Sequence, residues 1–381
     1  MLTDLLEFHA FCLTATGTRL DQFAAALDQA ITPGCVVLDL GAGFGVLSFL
    51  ACQRGAARVY AVEITEAAEF GRHLTASLGL ADRVTFLRGP SFTTELPESV
   101  DVIVADVHAP FGLQEGGLSA LRDAAGRCLK PGGAVIPGAL EWFLAPVEAP
   151  DSYRYRIDVW RQSPHGLPLE TIRAAAVNLP YPARFTTGHL LSPPRSVARA
   201  TVVSSDAPSM SGRVSATVER DGTVHGVCGA MNSTLWPGIV LSNVPGAAET
   251  TNYSCAFFPV ESPVTVRAGD AVDIDIAVFD GSEARWSLTV TDGATGATRE
   301  RFQHTTLRAM PSLAESLRRH APGHRPQLTA AGTLEVALAS RFDGTRTVAE
   351  LEAWLASQVP ESPGAATRLT HLLKATIERY G

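Results

Sequence analysis

The chain has six cysteines in 381 residues, and no two of them form a C-x-x-C pair. Cys12, Cys35, Cys52, Cys128, Cys228 and Cys255 are scattered, mostly in apolar segments. That spacing excludes a disulfide framework and fits reduced core thiols of a cytoplasmic protein. The histidines lack H-x-x-x-H or Cys/His ligand spacing, so no metal is expected. No apolar run is long enough to span a bilayer. The N-terminus has no basic region, long apolar run or cleavage site, so neither a signal peptide nor a membrane partner is expected. Net charge is −8, with no basic stripe or RGG-like tail, which argues against nucleic acid as a partner. Internal repeats and long low-complexity segments are also absent.

What is present is concentrated in Val36–Gly45, VVLDLGAGFG. Val36, Val37 and Leu38 read as a buried parallel strand ending at Asp39. Gly41, Gly43 and Gly45 follow on a two-residue spacing, where the missing Cβ permits a tight turn and close approach of a ligand. A second apolar strand, Arg58–Val62, ends in Glu63, which is placed to accept hydrogen bonds from a ribose diol. The dinucleotide fingerprint G-x-G-x-x-G is not met, because Val46 stands where its third glycine belongs. Asp39 would repel a pyrophosphate but favour a ligand carrying an ammonium or sulfonium group.

Residues 1–145 alternate helical and strand patterns, as a doubly wound, Rossmann-like α/β sheet does. Expected helices are Leu20–Ala30, Val46–Arg54, Glu66–Leu78 and Leu118–Leu129, with strands at Val84–Leu87 and Val100–Ala105. Lys130-Pro131-Gly132-Gly133 ends the last helix before a strand at Ala134–Pro137. From 146 to 308 short β-rich runs alternate with turn residues, which predicts an all-β barrel or sandwich. Residues 309–381 turn helical again, with Thr347 as an N-cap.

The motif D-x-G-x-G-x-G followed by a strand-end acid resembles class I S-adenosylmethionine-dependent methyltransferases. The β segment behind it narrows the resemblance to protein arginine methyltransferases, over residues 5–308. His9, Leu13, Arg19 and Phe23 resemble that family's helix folded over the cofactor. Val100–Val104, Leu129–Gly133 with Ile136-Pro137, His225-Gly226, Leu241-Ser242-Asn243, Pro245, Glu261, Val264–Val266 and Gly269-Asp270 resemble further family segments. The resemblance implies an α/β methyltransferase domain, a β-barrel for substrate and dimerisation, S-adenosylmethionine as cofactor with S-adenosylhomocysteine as product, and a homodimer. It places His9, Arg19, Asp39, Gly41, Gly43 and Glu63 against the cofactor. An arm reaching a second subunit is expected within Val177–Leu191.

The family's hairpin after the fourth strand carries two glutamates nine positions apart that clamp a guanidinium. Asp106 and Glu115 keep the spacing here, with the first acid one methylene shorter. Paired carboxylates can hold a planar, always-charged guanidinium by charge-assisted bidentate bonds. His108, between them, is a candidate base or contact. Asn252 stands where the family has histidine. Phe92, after Ser91, stands where it has the adenine-binding acid, so adenine falls to backbone, Ser91 or Phe92. The expected chemistry is in-line methyl transfer to a basic nitrogen of a small-molecule or peptide substrate, most simply a guanidine nitrogen of arginine. A small-molecule O- or N-methyltransferase of secondary metabolism and an inactive cofactor-binding scaffold are the competing readings.

Arg341–Leu351, RFDGTRTVAEL, resembles small winged-helix modules that bind leader peptides, and regulatory tails of bacterial methyltransferases. The alternative is a helical cap. Abundant Ala, Arg, Gly and Pro point to a GC-rich bacterial source, and a natural-product precursor is among the conceivable acceptors.

Overall fold

Val36–Leu40 (β1) is a strand buried along its whole length, as its apolar run predicts. In the computed structural model the described residues are 6–7, 9–10, 17–114, 116–162, 164–203, 209–247, 253–279, 283–311, 313–358 and 365–380. The helix Gly17–Ala30 (α1) precedes β1; Phe23, Ala26 and Leu27, on one face by their spacing, are fully buried. Val46–Gln53 (α2), Arg58–Glu63 (β2), Ala67–Ser77 (α3), Val84–Arg88 (β3) and Val100–Val104 (β4) follow. Gly117–Cys128 (α4) and Leu129–Ile136 (β5) complete the α/β half.

The five strands pair in parallel in the order β3-β2-β1-β4-β5. The order reverses between β1 and β4, where Asp39 lies opposite Val104. Open α/β sheets bind ligands outside the carboxyl ends of their strands at such a switch point. The Lys-Pro-Gly-Gly stretch is looped out of β5: Val100 pairs with Leu129 but Val102 with Ala134. Asp101 pins this edge, accepting from the Val36 amide at 2.8 Å and pairing with Lys130 at 2.9 Å.

The β half forms two antiparallel sheets. One runs through Arg195–Thr201, Ala139–Val147, Gly222–Trp236, Cys255–Val266 and Tyr181–Ala183, with Ile239–Ser242 alongside. The other is Ser209–Thr217, Ala271–Phe279, Glu283–Thr291 and Thr298–Thr305. The α/β and β halves share one core that includes Leu38, Ile103, Leu140, Leu144, Val224 and Trp286, and residues 1–311 form one compact unit.

Much of Val177–Leu191, expected as an arm, packs within the chain. Tyr181–Ala183 pairs with Cys255–Phe257, and Val177, Ala183, Phe185, Leu190 and Leu191 are buried. These five side chains fill the chain's own core, while Leu179 is 38% exposed.

Residues 312–381 form a second compact unit. Its helices Leu313–His320, Ala330–Ala339, Val348–Ser357 and Ala365–Tyr380 include a core of Leu338, Leu351, Leu355 and Leu373. Among its described residues there is no strand. The motif that carried the likeness has a local cause. Asp343 accepts from the Thr345 amide at 3.0 Å, Gly344 takes φ 75°, and Thr347 and Glu350 form a capping box. No helix among the described residues is long and apolar enough to cross a membrane.

Candidate active site

The glycine loop leaves β1 with Gly41, Gly43 and Gly45 all at positive φ (73°, 56° and 84°). A Cβ on Gly41 would stand 2.9 Å from Val107 Cγ1, and one on Gly43 would strike the His9 ring. The early third glycine has its own reason: a Cβ on Gly45 would meet Phe86 Cζ at 2.5 Å, beneath the start of α2.

Glu63, at the tip of β2, is braced on this loop. Its Oε2 accepts from the Gly43 amide at 2.9 Å and its Oε1 from the Thr65 amide at 2.7 Å. A cavity of about 400 Å³ opens here, and Gly41, Gly43, Glu63, Ser91, Phe92 and Asp106 all line it. That volume falls among small-ligand sites, which span roughly 300–1,000 Å³. His9 also lines it, its ring stacked on Phe44 at 3.9 Å between centroids. Burial, aided by the Arg19 charge and opposed by Glu63, lowers its pKa. Asp39 lies beneath the loop and accepts from Ser48 Oγ at 2.7 Å. Burial pushes its carboxyl up to about 7, against the Ser48 hydrogen bonds.

Ser91 and Phe92 sit at the far wall, Phe92 half exposed. Arg127 on α4 holds this wall, donating to the Ser91 carbonyl at 2.7 Å and the Thr94 carbonyl at 3.3 Å while Asp123 pairs with it. Nothing in the sequence motifs marks Arg127.

Asp106 leaves the carboxyl end of β4 and is the hub of the site. Its Oδ1 accepts from Tyr253 Oη at 3.1 Å and lies 3.0 Å from His108 Nδ1. Its Oδ2 is ion-paired with Arg19. An ionised carboxylate only accepts, so His108 Nδ1 carries the proton, and Nε2 meets the buried Ser233 hydroxyl at 2.8 Å. Burial raises the Asp106 pKa, but the His108 hydrogen bond and the Arg19 charge outweigh it, and the group lies below its ordinary value. Arg19 also lies over the Tyr253 ring at 4.9 Å.

Three of the roughly four acceptor positions of the Asp106 carboxylate are therefore used within the chain. With those partners in place it can offer an incoming ligand one hydrogen bond rather than a bidentate pair. His108 is buried, with both ring nitrogens engaged. Of the two expected roles, base or contact, this geometry favours the contact: the ring orients Asp106. Glu115 and Asn252 lie outside the described residues. Tyr253 and Ser233 were not singled out by sequence as site residues. Tyr253 had one signal, a hydroxyl where the resembled family has tryptophan; Ser233, inside a long strand, had none.

A glycine cradle, a strand-end acid braced on it and a carboxylate hub thus meet at one switch point. Residues 37–133 match the family described as a methyltransferase domain. A probable protein arginine N-methyltransferase 6 of Arabidopsis thaliana is 38% identical over 167 residues, covering 42% of this chain and 38% of that protein. Protein arginine N-methyltransferase 6 of Xenopus laevis is 36% identical over 129 residues, 34% of this chain and 38% of that protein. In these alignments the chain spans about 38% of the relatives' length. Solved structures extend the likeness of the fold beyond the methyltransferase domain. The Trypanosoma brucei PRMT1 enzyme–prozyme complex with AdoHcy superposes with a TM-score of 0.68 at 18% identity, over 78% of this chain and 98% of that one. Arabidopsis thaliana protein arginine methyltransferase 10 gives 0.66 at 19% identity, over 78% and 97%.

Proposed function

We propose that this protein binds S-adenosylmethionine and transfers its methyl group to a guanidine nitrogen of arginine, releasing S-adenosylhomocysteine. The observation that carries the reading is the position of Asp106: a carboxylate at the carboxyl end of β4, lining the same cavity as the glycine loop and Glu63.

The residues fit the cofactor. Gly41 and Gly43 let Val107 and His9 close against the loop that lines the cavity, Glu63 faces the cavity as a ribose acceptor, and Arg19 and His9 line its other side, where the methionine moiety is expected. Ser91, Phe92 and their backbone are left for adenine. The bound cofactor supplies a methyl group on a positively charged sulfur. Asp106 and Glu115 then hold the acceptor nitrogen in line with that methyl. The arrangement works through proximity, orientation and exclusion of water, and His108 keeps the Asp106 carboxylate ionised and aimed. Asp106 contributes a single bond, so Glu115 carries the main hold on the guanidinium. Calorimetry with S-adenosylmethionine, then mass spectrometry of arginine and arginine peptides, tests the reading. One added methyl group supports it; cofactor binding without any methylated product leaves a silent scaffold instead.

Asp39 adds a pH dependence. Burial holds its carboxyl up at about 7. A sulfonium nearby stabilises the ionised form and lowers that pKa, so binding releases a proton wherever the empty protein still holds one. Affinity for S-adenosylmethionine is expected to weaken by up to about tenfold per unit as pH falls below 7, and to level off above about 8. S-adenosylhomocysteine, which lacks the charge, should show a shallower slope. Calorimetry across pH checks this; equal slopes for the two would rule out the Asp39 assignment.

A homodimer belongs to the same proposal. Phe70, Leu74 and Leu78, 42%, 40% and 53% exposed, follow helical spacing along and just past α3, an apolar row of the kind that packs against a partner. Light scattering at micromolar concentration that returned a monomer would remove it.

A further inference from the structure

The hairpin that bears the acids is fastened to the β half by one buried side chain outside every motif of the α/β half. Asn243 follows the strand Ile239–Ser242 and is 3% exposed. Its Oδ1 accepts from the Met231 amide at 2.7 Å. Its Nδ2 donates to two carbonyls at 2.9 Å each, those of Pro110 and Ser254. Pro110 lies at the tip of the hairpin formed by His108–Ala109 and Gly112–Leu113. Ser254 adjoins Tyr253, whose hydroxyl reaches Asp106.

One planar amide therefore ties together the hairpin that follows Asp106 and the segment whose tyrosine reaches it. Its two N–H bonds set the separation of the Pro110 and Ser254 carbonyls, and the Met231 bond fixes both to the central strand. Asparagine supplies this acceptor and two donors from one short side chain; serine or threonine supplies a single donor, and ionised aspartate none. The hairpin keeps other ties when Asn243 is altered, namely His108 to Ser233 and the Trp142 indole to the Phe111 carbonyl at 3.3 Å.

We infer that Asn243 is a positioning residue for the acceptor side: it sets the register between the acid hairpin and the Tyr253 segment without touching the cofactor cavity. The inference rests on the methyl-transfer reading above. Asn243→Asp is nearly isosteric, yet it turns a carboxylate toward two carbonyl oxygens and removes both donors. Asn243→Ser removes them without adding charge and serves if the aspartate variant does not fold. Either is expected to lower kcat/KM for an arginine peptide by about 30-fold, the worth of two hydrogen bonds of ordinary strength, with the dissociation constant for S-adenosylhomocysteine within about twofold. Tyr253→Phe should cost much less in the Asn243 variant than in the wild type, because the tyrosine is already displaced.

A second readout needs no turnover. With 3-fluorotyrosine at position 253, the fluorine resonance should move in the Asn243 variant in the direction that Asp106→Asn moves it. Additive losses, a fluorine line unmoved by the variant, or cofactor affinity falling in step with turnover would each overturn the inference. If the wild-type protein transfers no methyl group, the methyl-transfer reading fails, and the fluorine line alone decides whether Asn243 positions Tyr253.

Discussion

Glu115→Gln is expected to lower turnover by about a thousandfold while leaving cofactor affinity within about twofold. The substitution preserves size but replaces an anionic acceptor with an amide whose NH2 group faces the donors of a guanidinium. Asp106 has three of its acceptor positions committed to Arg19, His108 and Tyr253, so it cannot make up the lost hold. Calorimetry with S-adenosylhomocysteine and steady-state kinetics with an arginine peptide separate the two quantities. Lost cofactor affinity with normal turnover at saturation would place Glu115 in the cofactor site instead.

Asp106→Asn should behave differently, although on sequence the two acids read as a matched pair. The asparagine oxygen can still accept from His108 and Tyr253, but its NH2 then faces the Arg19 guanidinium, which is 9% exposed along its side chain. Removing one partner of a buried ion pair costs about 3–5 kcal/mol. Turnover should fall as in the glutamine variant. In addition the melting temperature should drop by several degrees, and S-adenosylhomocysteine should bind about tenfold more weakly, because Arg19 loses the counter-charge that positions it. Stability and cofactor affinity equal to wild type would mean that Asp106 is an independent clamp and not a hub.

The parts of the site legible in the sequence are the local ones. A strand, a glycine turn and a strand-end acid are encoded by neighbouring residues, and Gly41, Gly43, Glu63 and Asp39 stand where their spacing places them. The hairpin acids were visible through their spacing. The environment of Asp106 was not, because Ser233 and Tyr253 reach it and His108 from 125 and 147 residues away along the chain. Pairings at that separation leave no periodicity to read. They also decide the role of His108, expected as a base or a contact and found buried against Ser233 of the β half.

Elsewhere the local signal was real and its meaning was different. Arg341–Leu351 carried a likeness to winged-helix modules, while Asp343 and Thr347 within it form the turn and helix cap that their residue types mark. Val177–Leu191 looked like an outward arm, and five of its apolar side chains fill the interior. The third glycine looked like a misplaced fingerprint residue, and it clears the Phe86 ring. In the last two cases packing partners distant in sequence decided the outcome.

The central claim is that a guanidine nitrogen receives the methyl group. The direct measurement is heteronuclear NMR of the product formed from S-adenosylmethionine labelled with carbon-13 in its methyl group and arginine, free or in a peptide, labelled with nitrogen-15 in its guanidine. A methyl carbon coupled to a guanidine nitrogen is expected, absent with Glu115→Gln. A labelled methyl that appears on oxygen, or remains entirely on the cofactor, would contradict it.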